Sequence, residues 1–63
     1  MEYIFLQTAD GYEWEDMKII LSEEIAIEKS KKYPKLRFEK FINKNDEYIP
    51  SYSFYQNGIL VKT

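Results

Sequence analysis

The stretch from Tyr48 to Thr63 constrains the fold of this chain more than any other. Asn57-Gly58 is a preferred pair for a two-residue type I′ loop, because both central positions need φ > 0. Such a loop sets the register on either side of it. Gln56 is expected to face Ile59, Tyr55 to face Leu60, Phe54 to face Val61 and Ser53 to face Lys62. Side chains alternate between the faces of a strand. Tyr52, Phe54, Ile59 and Val61 therefore share one face, and Ser51, Ser53, Tyr55, Leu60 and Lys62 share the other.

A chain of 63 residues makes one domain, read here as residues 1–63. A domain of this size buries only about 60% of the surface its unfolded chain exposes. Its expected stability is about 3–9 kcal/mol. It has no cysteine and no histidine, so neither a disulfide nor a thiolate metal site helps it fold. Small domains without such staples often gain stability by oligomerising. The compensating asset is an aromatic content of 17%, since rings bury large areas. The net charge is −2, with both signs interspersed. That counts against a nucleic-acid partner, which calls for a basic face. No stretch is apolar enough to span a membrane, and Met1-Glu2 begins acidic where a signal peptide would be basic. These features point to an intracellular setting. Lysine outnumbers arginine eight to one, and isoleucine and tyrosine are abundant, a usage that suits an AT-rich genome.

Tyr3-Ile-Phe-Leu6 is a continuous apolar run, and residues 2–8 read as a strand. It carries apolar side chains on both faces, as a strand in the middle of a sheet does. Asp10-Gly11 is a turn signal. Met17, Ile19 and Leu21 suggest a short second strand, after an acidic stretch (Glu13-Trp-Glu-Asp16) that bulges or loops. Ser22 suits a helix N-cap. Glu23 and Glu24 suit the positive end of the dipole, and Lys29, Lys31 and Lys32 the negative end. Tyr33-Pro34 stops the helix. Its inner stripe is expected to be Ile25, Ala26, Ser30 and Tyr33, with Leu21 and Ala26 at staple spacing. Residues 36–43 form the next strand, and Asn43 to Glu47 a polar turn. Pro50 marks a part of the following strand that is unpaired or at an edge. The expected fold is α+β: β-β-α-β-β-β, a mostly antiparallel sheet in the order 2-1-3-4-5, with one helix packed on one face.

The helix is expected to cover Ile4, Leu6, Met17, Ile19, Leu36, Phe38, Tyr52, Phe54, Ile59 and Val61. That leaves Tyr3, Phe5, Tyr12, Trp14, Phe41, Tyr55 and Leu60 open, since no second helix exists to cover them. Exposed apolar patches of this kind mark interaction surfaces, and Trp and Tyr are common anchors. Tyr3, Phe5, Trp14, Phe41 and Tyr55 are the candidate partner-binding residues, for a homodimer or for another protein. Two other readings stand beside this one. Loop residues could cover the rings, or the sheet could stack single-stranded bases; the last lacks both an RNP-type signature and a basic groove.

Catalytic chemistry finds little support. The commonest general base and the thiol nucleophile are missing, Ser51 and Ser53 have no evident base, and there is no Gly-rich phosphate loop. The chain reads as a non-enzyme without cofactors, and one this small has little room for a drug-sized pocket. Glu13, Glu15 and Asp16 match no metal-loop spacing and read as a solvated acidic patch. Asn43 to Glu47 lacks the glycine and terminal glutamate of a calcium loop. The lysines at the helix end are explained by the dipole.

The segments Tyr3-Ile-Phe-Leu-Gln-Thr8, Asp10-Gly-Tyr-Glu-Trp-Glu-Asp16, Glu24-Ile-Ala-Ile-Glu-Lys-Ser-Lys-Lys-Tyr-Pro34 and Tyr48-Ile-Pro-Ser-Tyr-Ser-Phe-Tyr-Gln-Asn-Gly58 together cover most of the chain. Their pattern resembles small uncharacterised proteins of giant DNA viruses of amoebae and their virophages. The resemblance rests on structural motifs and carries no activity. It implies a place in the cytoplasm or virus factory of an infected cell. It also makes a virion-packaged structural protein an alternative to a small docking module.

Overall fold

A computed structural model describes residues 2–62; Met1 and Thr63 lie outside the described residues. The elements are β1 (Glu2–Thr8), a 3-10 turn (Trp14–Asp16), β2 (Lys18–Ile20), α1 (Glu23–Lys32), β3 (Arg37–Lys44), β4 (Glu47–Gln56) and β5 (Ile59–Lys62). The strands form one sheet in the order β2-β1-β3-β4-β5, every neighbouring pair antiparallel. The fold is α+β, with the helix packed on the sheet, in the strand order expected from the sequence.

Local chemistry accounts for the boundaries. The Ser22 hydroxyl accepts from the Ile25 N–H at 3.3 Å and caps α1, satisfying an otherwise orphaned donor. At the other end the Tyr33 N–H closes on the Lys29 carbonyl at 2.8 Å before Pro34 ends the run. Asn57 (φ 55°) and Gly58 (φ 78°) form the expected turn with φ > 0 at both positions. The register after it is Gln56–Ile59, Tyr55–Leu60, Phe54–Val61 and Ser53–Lys62. Asn45 and Asp46 also have φ > 0 and join β3 to β4 in the same two-residue manner. Glu13 to Asp16 is the bulging segment, closed by the Glu13 N–H on the Asp16 carboxylate at 3.0 Å.

Pro50 lies in an internal strand, yet at an edge. Among the described residues β5 pairs with Ser53 to Gln56, so the Glu47–Ser51 part of β4 has β3 on one side alone. The β3–β4 register shifts at Lys40/Phe41: Lys40 faces Ser53 and Phe41 faces Pro50. Ser51 and Tyr52 are the extra residues of this bulge. Tyr52 has φ 60°, a sparsely populated region for an aromatic residue. The Ser51 hydroxyl donates to the Lys40 carbonyl at 2.7 Å and holds the bulge to β3.

The core is small. Phe5 (1% exposed), Ala26 (0%) and Phe38 (0%) are its buried apolar residues, and Ile20, Leu36 and Tyr55 pack against them. Here the face assignment from sequence is corrected. In the register Phe5 faces Ile20 and Lys40, Gln7 faces Phe38, and Phe38 faces Tyr55. These residues share a face, and the helix covers it. The physical reason lies in α1 itself. Its buried positions are Ala26 and Ser30, small enough to seat against large rings. Its polar side chains also find partners there. Ser30 accepts from the Gly58 N–H at 2.9 Å, and Glu23 accepts from the Tyr55 hydroxyl at 2.7 Å. Ile25 and Tyr33, expected inside, are exposed, as is Leu21, so the staple does not form.

Candidate interaction face

Turning the sheet over exposes what the helix leaves open. The register places Ile4 beside Phe41, Phe41 beside Pro50, Leu6 beside Ile19 and Glu39, and Glu39 beside Phe54, which faces Val61. Residues opposite one another in an antiparallel pair point to the same side. Ile4, Leu6, Ile19, Phe41, Phe54 and Val61 therefore make one apolar surface that crosses all five strands. Ile19 and Val61 are exposed; Ile4, Leu6, Phe41 and Phe54 are half-buried by their neighbours. Between β3 and the bulge of β4 lies a hollow of about 300 Å³, lined by Glu39, Lys40, Phe41, Pro50, Tyr52 and Phe54. Glu39 is the carboxylate within the patch, and it forms no ion pair among the described residues.

The five candidate anchors do not form one surface. Phe5 is in the core, so it is not an exposed anchor. Phe41 lies on the helix-free face, opposite to Tyr3, Phe5 and Tyr55. Trp14 is 79% exposed on the 3-10 turn. Tyr3 and Tyr55 belong to a polar cluster at the N-terminal end of α1. Lys40 Nζ sits 4.1 Å from the centroid of the Tyr3 ring and 3.5 Å from the Glu23 carboxylate, which also accepts from Tyr55. The Tyr55 hydrogen bond, with help from the Lys40 charge, holds the Glu23 carboxyl below its ordinary value against some desolvation. The same bond, together with burial, pushes the Tyr55 hydroxyl up to about 12. This cluster ties the helix to the sheet.

Phe41 lies on the open face as expected, and Phe38 lies under the helix as expected, but most of the residues expected beside Phe38 are on the open side. Ile4, Leu6, Ile19, Phe54, Ile59 and Val61 do share a face; the helix lies on the other one. The available signal was the distribution of polar groups. Gln7, Lys40 and Ser53 share a face with Phe5 and Tyr55, and a helix bearing Glu23 and Ser30 can bond such a face.

Among the described residues no three His, Cys, Asp or Glu side chains come together to hold a metal ion, and no helix is long and apolar enough to cross a membrane. No protein-family model matches this chain, no curated protein is significantly similar to it, and no solved structure significantly resembles it.

Proposed function

We propose that this protein is a non-enzymatic interaction module whose helix-free sheet face docks against a second copy of the chain. The observation that carries the reading is the apolar surface of Ile4, Leu6, Ile19, Phe41, Phe54 and Val61, uncovered beside a core of three buried apolar residues among the described residues.

Areas are sufficient for a second copy as the occupant. The accessible surface is 4774 Å², whereas a compact monomer of this mass exposes about 4,300 Å². Five strands about 4.8 Å apart, with about six residues each at roughly 3.3 Å, give a face of about 20 by 20 Å. With side-chain relief, two such faces bury about 1,000 Å² in total, the lower bound for a specific interface. An interface at that lower bound belongs to the class of weak, transient associations. Face-to-face packing at about 10 Å is the ordinary way for two sheets to share a core.

Glu39 gives the reading a sharp edge. Between two copies it becomes a buried carboxylate, which costs free energy unless paired. Sedimentation equilibrium over a micromolar series tests the proposal. Phe41→Ala and Phe54→Ala should weaken self-association about tenfold or more, and Glu39→Gln should strengthen it. If Phe54→Ala and Glu39→Gln both leave the mass distribution unchanged, the face is not a self-interface. The resemblance to giant-virus and virophage proteins supports a viral module acting in the cytoplasm or virus factory of an infected cell. Recovery of the chain from purified particles would favour the virion-packaged alternative.

A further inference from the structure

On the helix side, away from the proposed dimer face, lies an open groove of about 570 Å³. The groove is open to solvent, and its volume falls in the range of small-molecule sites. Its rim carries Lys18, Lys29, Lys32 and Lys35, with Tyr12 and Tyr33, and Gln7 lies within it. Half of the eight lysines thus converge on one place in a chain of net negative charge, and no carboxylate lines it. None of the four forms an ion pair among the described residues. The dipole of α1 accounts for Lys29 and Lys32. It does not account for Lys18, which comes from β2, or for Lys35, which lies beyond Pro34.

Gln7 adds an independent observation. It is 9% exposed, and its Oε1 is a buried acceptor without a hydrogen-bond partner among the described residues. Buried polar atoms of this kind are rare in native proteins. An acceptor without a donor in a lysine-rimmed groove asks for a ligand with two features, an anionic group and a hydrogen-bond donor. A bare phosphate would engage the lysines and leave Gln7 and most of the volume unused. The exposed Tyr33 ring and the half-buried Tyr12 ring offer flat surfaces for a third feature, an aromatic ring.

We propose that the groove between the last turn of α1 and the β1–β2 ladder binds a nucleoside phosphate. The phosphates lie among Lys18, Lys29, Lys32 and Lys35, the base lies against a tyrosine ring, and the Gln7 side chain turns so that its Oε1, closed to solvent in the unliganded chain, meets a base or sugar donor. The site is separate from the proposed dimer face, so either can fail without the other.

Titration of the ¹⁵N-labelled full chain with ADP tests this, in low salt and again at about 0.2 M salt. The expected result is saturable shifts of the Gln7 side-chain amide and of the backbone amides of Lys18, Lys29 and Lys32. Lys29→Gln and Lys32→Gln should each weaken ADP binding about tenfold, and Lys44→Gln, at the end of β3, should not. Gln7→Leu keeps the volume and removes the acceptor; it should weaken ADP binding while leaving the fold intact. Four results would overturn the proposal. Shifts could fail to saturate at millimolar ADP, or inorganic phosphate could bind as tightly as ADP. Lys44→Gln could cost as much as Lys29→Gln, or a single-stranded oligonucleotide could bind far more tightly with shifts spread beyond the groove.

Discussion

Ser30 joins α1 to the far end of the sheet, and its replacement by alanine measures that joint. The side chain is fully buried. Its hydroxyl donates to the Ile27 carbonyl at 2.7 Å and accepts from the Gly58 N–H at 2.9 Å. Ser30→Ala removes the acceptor and leaves a partly buried backbone N–H unpaired, at a cost of about 1–2 kcal/mol. Alanine returns roughly 0.5 kcal/mol through its better helix propensity. The net loss is about 1 kcal/mol out of a total of about 3–9 kcal/mol. In a domain of this size that lowers Tm by about 4–8 °C. Thermal and urea unfolding followed by circular dichroism read the loss, and amide exchange localises it at Gly58. Glu28→Ala serves as the control, because its 4.0 Å pair with Lys31 is exposed and contributes little. A variant that melts within about 2 °C of the parent, with unchanged exchange at Gly58, would refute the assigned role of the hydroxyl, since the expected net loss of about 1 kcal/mol corresponds to about 4–8 °C.

Phe38→Ala should cost about 3–5 kcal/mol, a large share of the total stability, whereas Phe41→Ala, three positions on and on the open face, should leave a cooperatively folded chain. Urea unfolding of the two variants checks the difference. Gly58→Ala should destabilise by about 1–2 kcal/mol, because φ is 78° and its new Cβ would meet Lys31 Cγ at 2.7 Å; the same urea unfolding measures it. The Glu23–Tyr55 bond gives stability two pH limbs. The Glu23 carboxyl is lowered in the folded state, so its contribution is complete above 4.5 and is lost as pH falls through the lower folded value. The Tyr55 hydroxyl is raised to about 12, so its contribution is complete below 10 and is lost as pH rises towards 12. Urea midpoints across pH should show both limbs in the parent and flatter ones in Tyr55→Phe.

How much of this was legible in the sequence differs from element to element. Asn57-Gly58 carries its own geometry, so the β4–β5 register followed from two residues. Ser22 and Tyr33-Pro34 bound the helix through local hydrogen bonding and sterics, and α1 ends where they say. The strand order followed from the apolar character of Tyr3-Ile-Phe-Leu6 on both faces. Relative parity between β1 and β3 was not legible. These strands are joined through β2 and α1, and no short turn sets their register. Phe38 could have faced with Leu6 as readily as with Phe5. That one-residue ambiguity reverses which face a helix covers, and it misplaced candidate anchors: Phe5 went inside and Tyr3 and Tyr55 went to the helix side, whereas Phe41 lies on the open face as expected. The bulge at Ser51-Tyr52 and the convergence of Lys18 with Lys29, Lys32 and Lys35 depend on tertiary proximity that no local pattern encodes.

Mixing unlabelled chain with ¹³C,¹⁵N-labelled chain and recording isotope-filtered NOEs reads out whether the helix-free face meets a second copy. At concentrations where sedimentation shows dimer, NOEs between copies are expected among Ile4, Leu6, Phe41, Phe54 and Val61. NOEs between copies confined to Trp14, or a chain that remains monomeric to millimolar concentration, would contradict it.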